Sequence, residues 1–157
     1  MAGSGAPQTG GVDATGLNVV VVAGTWHEVI TDGLIAGAKR VLDATGATYR
    51  VVRVPGSFEL PVAAVAAFAG GADAVVALGV IIRGGTPHFE YVSSAATDGL
   101  TRVAIDAGKP VGFGVLTLDD EQQGLDRAGL DGSKEDKGAE AADAALRTAL
   151  LLRDLRG

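Results

Sequence analysis

Four short runs of β-branched and other apolar residues, each followed by a longer stretch of helical periodicity, constrain this chain more than any other feature of its sequence. The runs cover residues 17–24, 49–54, 74–82 and 111–118. A strand that is apolar at nearly every position is buried on both faces, which happens when strands lie parallel with helices packed above and below. After the first run, Leu34, Ile35, Ala38, Val41 and Leu42 recur at helical spacing over 26–46, with Gly46 as the stop. After the second, 57–69 is rich in Ala and Val, and its Pro61 is tolerable only in a first turn. After the third, Thr86 can cap a helix whose first position is Pro87 and which runs to about 107, with Val92, Ala96, Gly99 and Val103 along one face. Beyond Asp119 the pattern is helical twice more, to 127 and again over 137–155, with the polar segment 131–136 as a kink between them. The alternation predicts an α/β fold, a three-layer sandwich around a parallel four-stranded sheet with crossover helices.

Residues 1–16 are rich in glycine and poor in large apolar side chains, so they cannot offset their own ordering. They read as a flexible N-terminal arm that can add a strand to a neighbouring subunit, and 17–157 as a single domain. At 157 residues and 47% hydrophobic, the chain suffices for one substantial core. A net charge of −6 without any Lys/Arg run argues against nucleic acid as a partner. With no cysteine, disulfides and thiolate metal sites are impossible, which fits a reducing cytoplasm. No leader pattern stands at the N-terminus, and no apolar stretch reaches the roughly 18 residues a membrane span needs, so the expectation is a soluble cytoplasmic protein without a membrane partner.

Ligands of parallel sheets collect outside the carboxyl ends of the strands, which here means the loops beginning at Gly24, Val54, Ile82 and Leu118. After Ile82 the chain reads Arg83, Gly84, Gly85, Thr86, Pro87, His88. Two glycines let backbone N–H groups approach an anion, and the helix that follows adds the positive end of its dipole. The segment therefore reads either as a phosphate cradle or as a tight turn with an ordinary cap. Histidine is the side chain suited to carry protons near neutrality, so His88 reads as a proton carrier or as simply solvated. Trp26, at the mouth of the first loop, either stacks on a flat heterocycle or packs into the core. Glu59 complements a helix dipole, or accepts hydrogen bonds from a polyol or an amine. Arg127 and Lys137 flank the late polar segment and, taken alone, read as surface. Asp119, Asp120 and Glu121 read as a helix start rather than a metal site.

Several ordered segments go further: Pro55 to Pro61 as PGSFELP, Leu78 to Gly84 as LGVIIRG, Thr86 to Tyr91 as TPHFEY, Phe113 to Thr117 as FGVLT, Asp126 to Gly129 as DRAG, and Asp136 to Gly138 as DKG. Together they resemble the lumazine synthase family, from about Leu17 to the C-terminus. The resemblance implies a flavodoxin-like sandwich and a cofactor-free, metal-free condensation in riboflavin biosynthesis. Its two substrates would be 5-amino-6-(D-ribitylamino)uracil and 3,4-dihydroxy-2-butanone 4-phosphate. It also implies that Trp26 stacks on the pyrimidine, and that Ser57, Phe58 and Glu59 line the ribityl and ring pocket. Val80, Ile81 and Ile82 would offer backbone contacts, Gly85 and Thr86 would hold the phosphate, and His88 would move protons. Phe113, Arg127 and Lys137 would come from an adjacent subunit, Arg127 as a second catalytic residue that completes the phosphate site. The assembly implied is a homo-oligomer, with a pentamer favoured because 131–136 is longer than in relatives that build closed shells. Trp26 stands where Phe is also common, and Phe113 where some members carry a polar residue; both bear on ring affinity rather than reaction class. The rival readings are a flavin- or lumazine-binding module of the same fold and an oligomeric scaffold with a vestigial pocket. The first turn, Gly24, Thr25, Trp26, His27, lacks a dinucleotide fingerprint.

Overall fold

Strand β1 (Asn18–Ala23) is buried at every position after its first, and this two-sided burial organises the molecule. The computed structural model describes residues 4–9 and 11–157. β1 pairs in parallel with β2 (Thr48–Arg53) on one side and with β3 (Ala74–Ile82) on the other; β4 (Val111–Leu118) closes the order β2-β1-β3-β4. The register sets Val21 beside Val51 and Val76, and runs from Val75↔Val111 to Ile82↔Leu118 at the other edge. Because side chains alternate along a strand, Val19, Val21 and Ala23 face one layer and Val20 and Val22 the other. The first layer is α1 (Glu28–Thr45) with α5 (Lys137–Leu155), which contribute Ile30, Leu34, Leu42, Ala142 and Leu146 to the core. The second is α2 (Leu60–Ala69) with α3 (His88–Ala107), which contribute Leu60, Ala64, Leu100 and Val103. A short α4 (Glu121–Leu125) follows β4. This is the three-layer α/β sandwich that the alternation predicts.

β3, β4 and α5 begin and end where the sequence pattern puts them, and three local expectations need correction. Helix α3 starts at His88, with Pro87 as its cap residue at φ −65°, ψ 0°, one position later than expected. The Thr86 hydroxyl lies 3.5 Å from the His88 N–H, too far for an effective cap. Residues Ser57–Glu59 form a separate 3₁₀ turn ahead of α2, because Pro61 has no N–H to give the Ser57 carbonyl and the chain winds tighter, with Glu59 N–H donating to Gly56 at 3.2 Å. The polar segment 131–136 is a loop that returns on itself rather than a kink. Ala128 and Asp136 form an antiparallel bridge, and Gly129 N–H donates to Glu135 at 3.0 Å.

The packed body begins slightly ahead of residue 17. Ala14 is fully buried and its N–H donates to the Thr45 carbonyl at 2.8 Å, while Val12 packs against the same core. Of the arm expected over 1–16, residues 1–3 and 10 lie outside the described residues, and the others form no strand. Among the described residues no helix is long and apolar enough to cross a membrane.

The α1–α5 contact depends on small residues. A Cβ at Gly37 would stand 3.1 Å from the Ala139 backbone nitrogen, and one at Gly138 would enter the van der Waals shell of the Leu34 carbonyl. That close approach sets Asp136, whose Oδ1 accepts from Ala139 N–H as the cap of α5, beside Arg40 at 2.6 Å. The atoms that a Cβ on Gly138 would meet are all Leu34 backbone, so none can rotate away, and overpacking of this kind costs about 1–3 kcal/mol. Gly138→Ala is therefore expected to lower the urea unfolding midpoint and to reduce the melting temperature by several degrees. Gly132→Ala, in open space at φ 83°, is expected to cost less.

Candidate active site

Parallel connection places the start of every crossover helix, and the loop before it, at one edge of the sheet. At that edge a cleft of about 650 Å³ opens between the loops after β1, β2 and β3. It is lined by Trp26 and His27 from the first loop, Pro55, Gly56, Ser57, Phe58 and Glu59 from the second, and Val80, Ile81 and Ile82 from the end of β3. Gly84, Thr86, His88, Phe89, Tyr91 and Val92, from the third loop and the opening turns of α3, complete it.

The first two loops are pinned to each other. The Arg53 guanidinium donates to the Gly24 carbonyl through Nε at 3.2 Å and Nη2 at 2.9 Å, and the Thr25 hydroxyl donates to the Pro55 carbonyl at 2.7 Å. Gly56 is buried against the Trp26 indole; a Cβ there would stand 3.3 Å from Cδ1 and Nε1 of the ring. Gly79 on β3 likewise leaves room for the buried Ser57 hydroxyl, which a Cβ would strike. The aromatic walls are open: Trp26 is 67%, Phe58 64% and Tyr91 74% exposed. In a chain that is only 4% aromatic, so much uncovered ring surface at one cleft marks a place for a flat ligand or a second chain.

The third loop carries the polar side. Arg83 reaches Glu90 at 2.6 Å and Asp119 at 3.0 Å, and its guanidinium lies 4.4 Å over the centre of the Phe89 ring. Hydrogen bonding to Arg83 holds the Glu90 carboxyl below its ordinary range, and the two carboxylates raise the guanidinium further above neutrality. All three charges are exposed, so the pairs add little stability and serve mainly to fix the loop's path. Between Arg83 and α3, a Cβ on Gly84 or Gly85 would meet nothing within 4 Å, so this chain's own packing leaves the space over both glycines open. The Thr86 hydroxyl and the first N–H groups of α3 stand at the same turn, with His88 in the first helical position.

The cleft thus brings together Trp26, Ser57, Phe58, Glu59, Val80, Ile81, Ile82, Thr86 and His88, and Gly85 lies in the loop between two of its lining residues. It does not include Phe113, Arg127 or Lys137. Phe113 stands half-exposed on edge strand β4, on the side that faces α3. Arg127 donates to the Gln123 carbonyl at 2.8 Å and lies 3.6 Å from Glu135, and Lys137 pairs with Glu135 at 3.0 Å and Glu140 at 3.3 Å. Six lining residues were not among the site candidates read from sequence: His27, Pro55, Gly56, Phe89, Tyr91 and Val92. The Pro-Gly pair directly after β2 was the available signal for two of them, and a rare aromatic one turn into α3 for Tyr91. Among the described residues no group of three His, Cys, Asp or Glu side chains could hold a metal ion.

A family model described as 6,7-dimethyl-8-ribityllumazine synthase matches residues 16–153. The chain is 74% identical over 158 residues to the 6,7-dimethyl-8-ribityllumazine synthase of Leifsonia xyli subsp. xyli, an alignment that covers 100% of both proteins. It is 70% identical to the protein of that name from Clavibacter michiganensis subsp. michiganensis, over 100% of this chain and 99% of the relative. To the one from Kineococcus radiotolerans it is 62% identical, over 98% of this chain and 95% of the relative. With its parallel sandwich, its cleft at the carboxyl edge and matches of this length and identity, the chain belongs to the 6,7-dimethyl-8-ribityllumazine synthase family.

Proposed function

We propose that the cleft condenses 5-amino-6-(D-ribitylamino)uracil with 3,4-dihydroxy-2-butanone 4-phosphate, releasing 6,7-dimethyl-8-ribityllumazine, phosphate and water. The observation that carries this reading is the convergence on one cleft of an aromatic wall, a glycine loop at a helix start and a histidine beside that loop. The pyrimidine stacks on Trp26, and the ribityl chain runs along Ser57, Phe58 and Glu59. The backbone of Val80, Ile81 and Ile82 meets the ring edge. The phosphate lies over Gly85 and Thr86, where unpaired N–H groups and the helix dipole favour an anion. The 5-amino group attacks the ketone and loses water to form an imine; phosphate then leaves, and the ribityl-bearing nitrogen closes the ring with loss of a second water. His88 carries the protons for these steps. Orientation of the two reactants supplies most of the rate, and a placed acid/base contributes roughly 10²- to 10⁴-fold. The chain's own residues supply this chemistry without a redox or metal cofactor.

The site is completed by a second copy of the chain, with Phe113, Arg127 and Lys137 reaching the cleft of the next subunit and Arg127 taking the phosphate. Support comes from large exposed apolar groups on the α2–α3 side, Phe58, Val62, Val65, Tyr91 and Ile105, which a neighbour would cover. The assembly is a homopentamer working in the cytoplasm, with the N-terminal arm adding a strand to the adjacent sheet.

His88→Ala is expected to lower kcat by roughly 10²- to 10⁴-fold while leaving measurable turnover. Orthophosphate release and lumazine fluorescence, followed together, read this out; unchanged turnover would remove His88 from the mechanism. If the sites are shared, Arg127→Ala and His88→Ala chains co-expressed in equal amounts show activity above that of either variant alone. Random mixing leaves half of the clefts with His88 and half of the neighbours with Arg127, so about one quarter of the sites are whole in a cyclic ring. Activity no higher than the average of the two variants would place Arg127 outside the neighbouring site.

A further inference from the structure

The loop that presents Trp26 is held in an uncommon backbone conformation. His27, the cap residue of α1, sits at φ 55°, ψ 66°, and among the described residues it is the only non-glycine in the left-handed region. A helix cap is usually an extended residue whose own side chain accepts from the first turn. His27 does neither, since its side chain makes no cap hydrogen bond. A left-handed residue of this kind persists only where its surroundings over-determine it.

The group that does so is Thr31, one turn into α1 and fully buried. Its hydroxyl donates to the Trp26 carbonyl at 2.7 Å and its N–H donates to the His27 carbonyl at 2.9 Å. The second bond is the ordinary first bond of a helix. The first is not, because the Trp26 carbonyl lies outside the helix and has no place in its ladder. Gly56 abuts the edge of the indole, so Trp26 is tied through its backbone by a buried hydroxyl while its exposed ring has a glycine against one edge. Trp26 and His27 both face the cleft.

We propose that Thr31 is the positioning residue of the ring-binding element. Its hydroxyl fixes the Trp26–His27 turn so that the indole is preset as a stacking platform, and affinity for the pyrimidine depends on that hydroxyl although it touches no substrate. The inference rests on the reading of Trp26 as the stacking residue and adds a determinant buried behind it. Preset platforms gain affinity by lowering the ordering cost of binding, so loss of the hydroxyl falls on substrate affinity more than on the chemical step.

Thr31→Val keeps the branched shape and deletes the donor; Thr31→Ser keeps the donor and deletes a methyl. Trp26 is the only tryptophan of the chain, so intrinsic emission reports on this loop alone. In titrations with 5-amino-6-(D-ribitylamino)uracil, Thr31→Val is expected to need roughly 3- to 10-fold more ligand to quench that emission, the worth of one buried hydrogen bond. KM for the same substrate rises by a like factor, with kcat and the KM for the butanone phosphate little changed, and Thr31→Ser restores both readings. A Thr31→Val enzyme with the wild-type quenching curve and KM overturns the proposal. Wild-type emission that does not respond to the pyrimidine overturns it too, and removes the stacking role of Trp26 as well. Should Thr31→Val fail to fold, hydrogen exchange on the wild-type enzyme decides. Slower exchange of the Thr31 amide with the pyrimidine bound supports the proposal, and exchange unchanged by saturating ligand overturns it.

Discussion

The structure depends on the burial of β1 and β3 from both sides. Val19, Val20, Val21, Val22 and Ala23 are all removed from water, and each buried valine is worth about 1.5–3 kcal/mol relative to exposure. An exposed ion pair contributes about 0–1 kcal/mol, so the sheet rather than the surface charges sets the architecture. Two-sided burial requires a helical layer on each face, and parallel pairing requires each connection to cross from one end of the sheet to the other. Every crossover helix therefore starts at the same edge. The cleft forms there because the loops after β1, β2 and β3 have no other place to be.

Within that edge the division of labour follows from which groups are buried. The anchoring elements lie low: Ser57 in the space left by Gly79, Gly56 under the indole, Thr31 behind the Trp26–His27 turn. Other cleft-lining groups are exposed, among them Trp26, Phe58, Thr86 and His88. Around Arg83 the same logic holds in charge rather than packing. Its pairs with Glu90 and Asp119 and its place over Phe89 add little stability, yet they tie the glycine loop to α3 and to the end of β4. The aromatic wall and the glycine loop thus rest on separate loops with separate anchors, so a substitution that disturbs one leaves the other's contacts in place.

Much of this was legible in the residues. Strands 74–82 and 111–118 and helix 137–155 could be read to the residue because their apolar periods are long and uninterrupted. The rule that ligands gather at the carboxyl ends of parallel strands directs attention to the loops that carry Trp26, Thr86 and His88, and these three residues line the cleft. Local backbone choices were harder. Thr86 and Pro87 form a sound capping sequence, but Pro87 takes ψ near 0° and the helix waits for His88. The polar run 131–136 has no apolar period, so nothing in it announces the bridge between Ala128 and Asp136 that folds it back. His27 carries no local sign of a left-handed backbone; that state comes from the packing of the turn on buried Thr31, five residues after Trp26 along the chain.

Phe113, Arg127 and Lys137 mark the division between the two levels of information. Family resemblance names them as site residues, whereas the folded chain keeps them outside its own cleft, with both cations engaged by Glu135. By itself the sequence determined the layered α/β architecture, the parallel sheet and the edge at which the cleft opens, because these follow from periodicity and from two-sided burial along short stretches. Only the tertiary structure decided the shape of the cleft, the close approach of α1 and α5 at Gly138, and the strained turn that presents Trp26. The first two depend on contacts between residues far apart in the chain, and the third on a side-chain-to-backbone bond across one turn; in each, a few tenths of an ångström or one buried hydroxyl selects among conformations that the local sequence leaves nearly equal in energy.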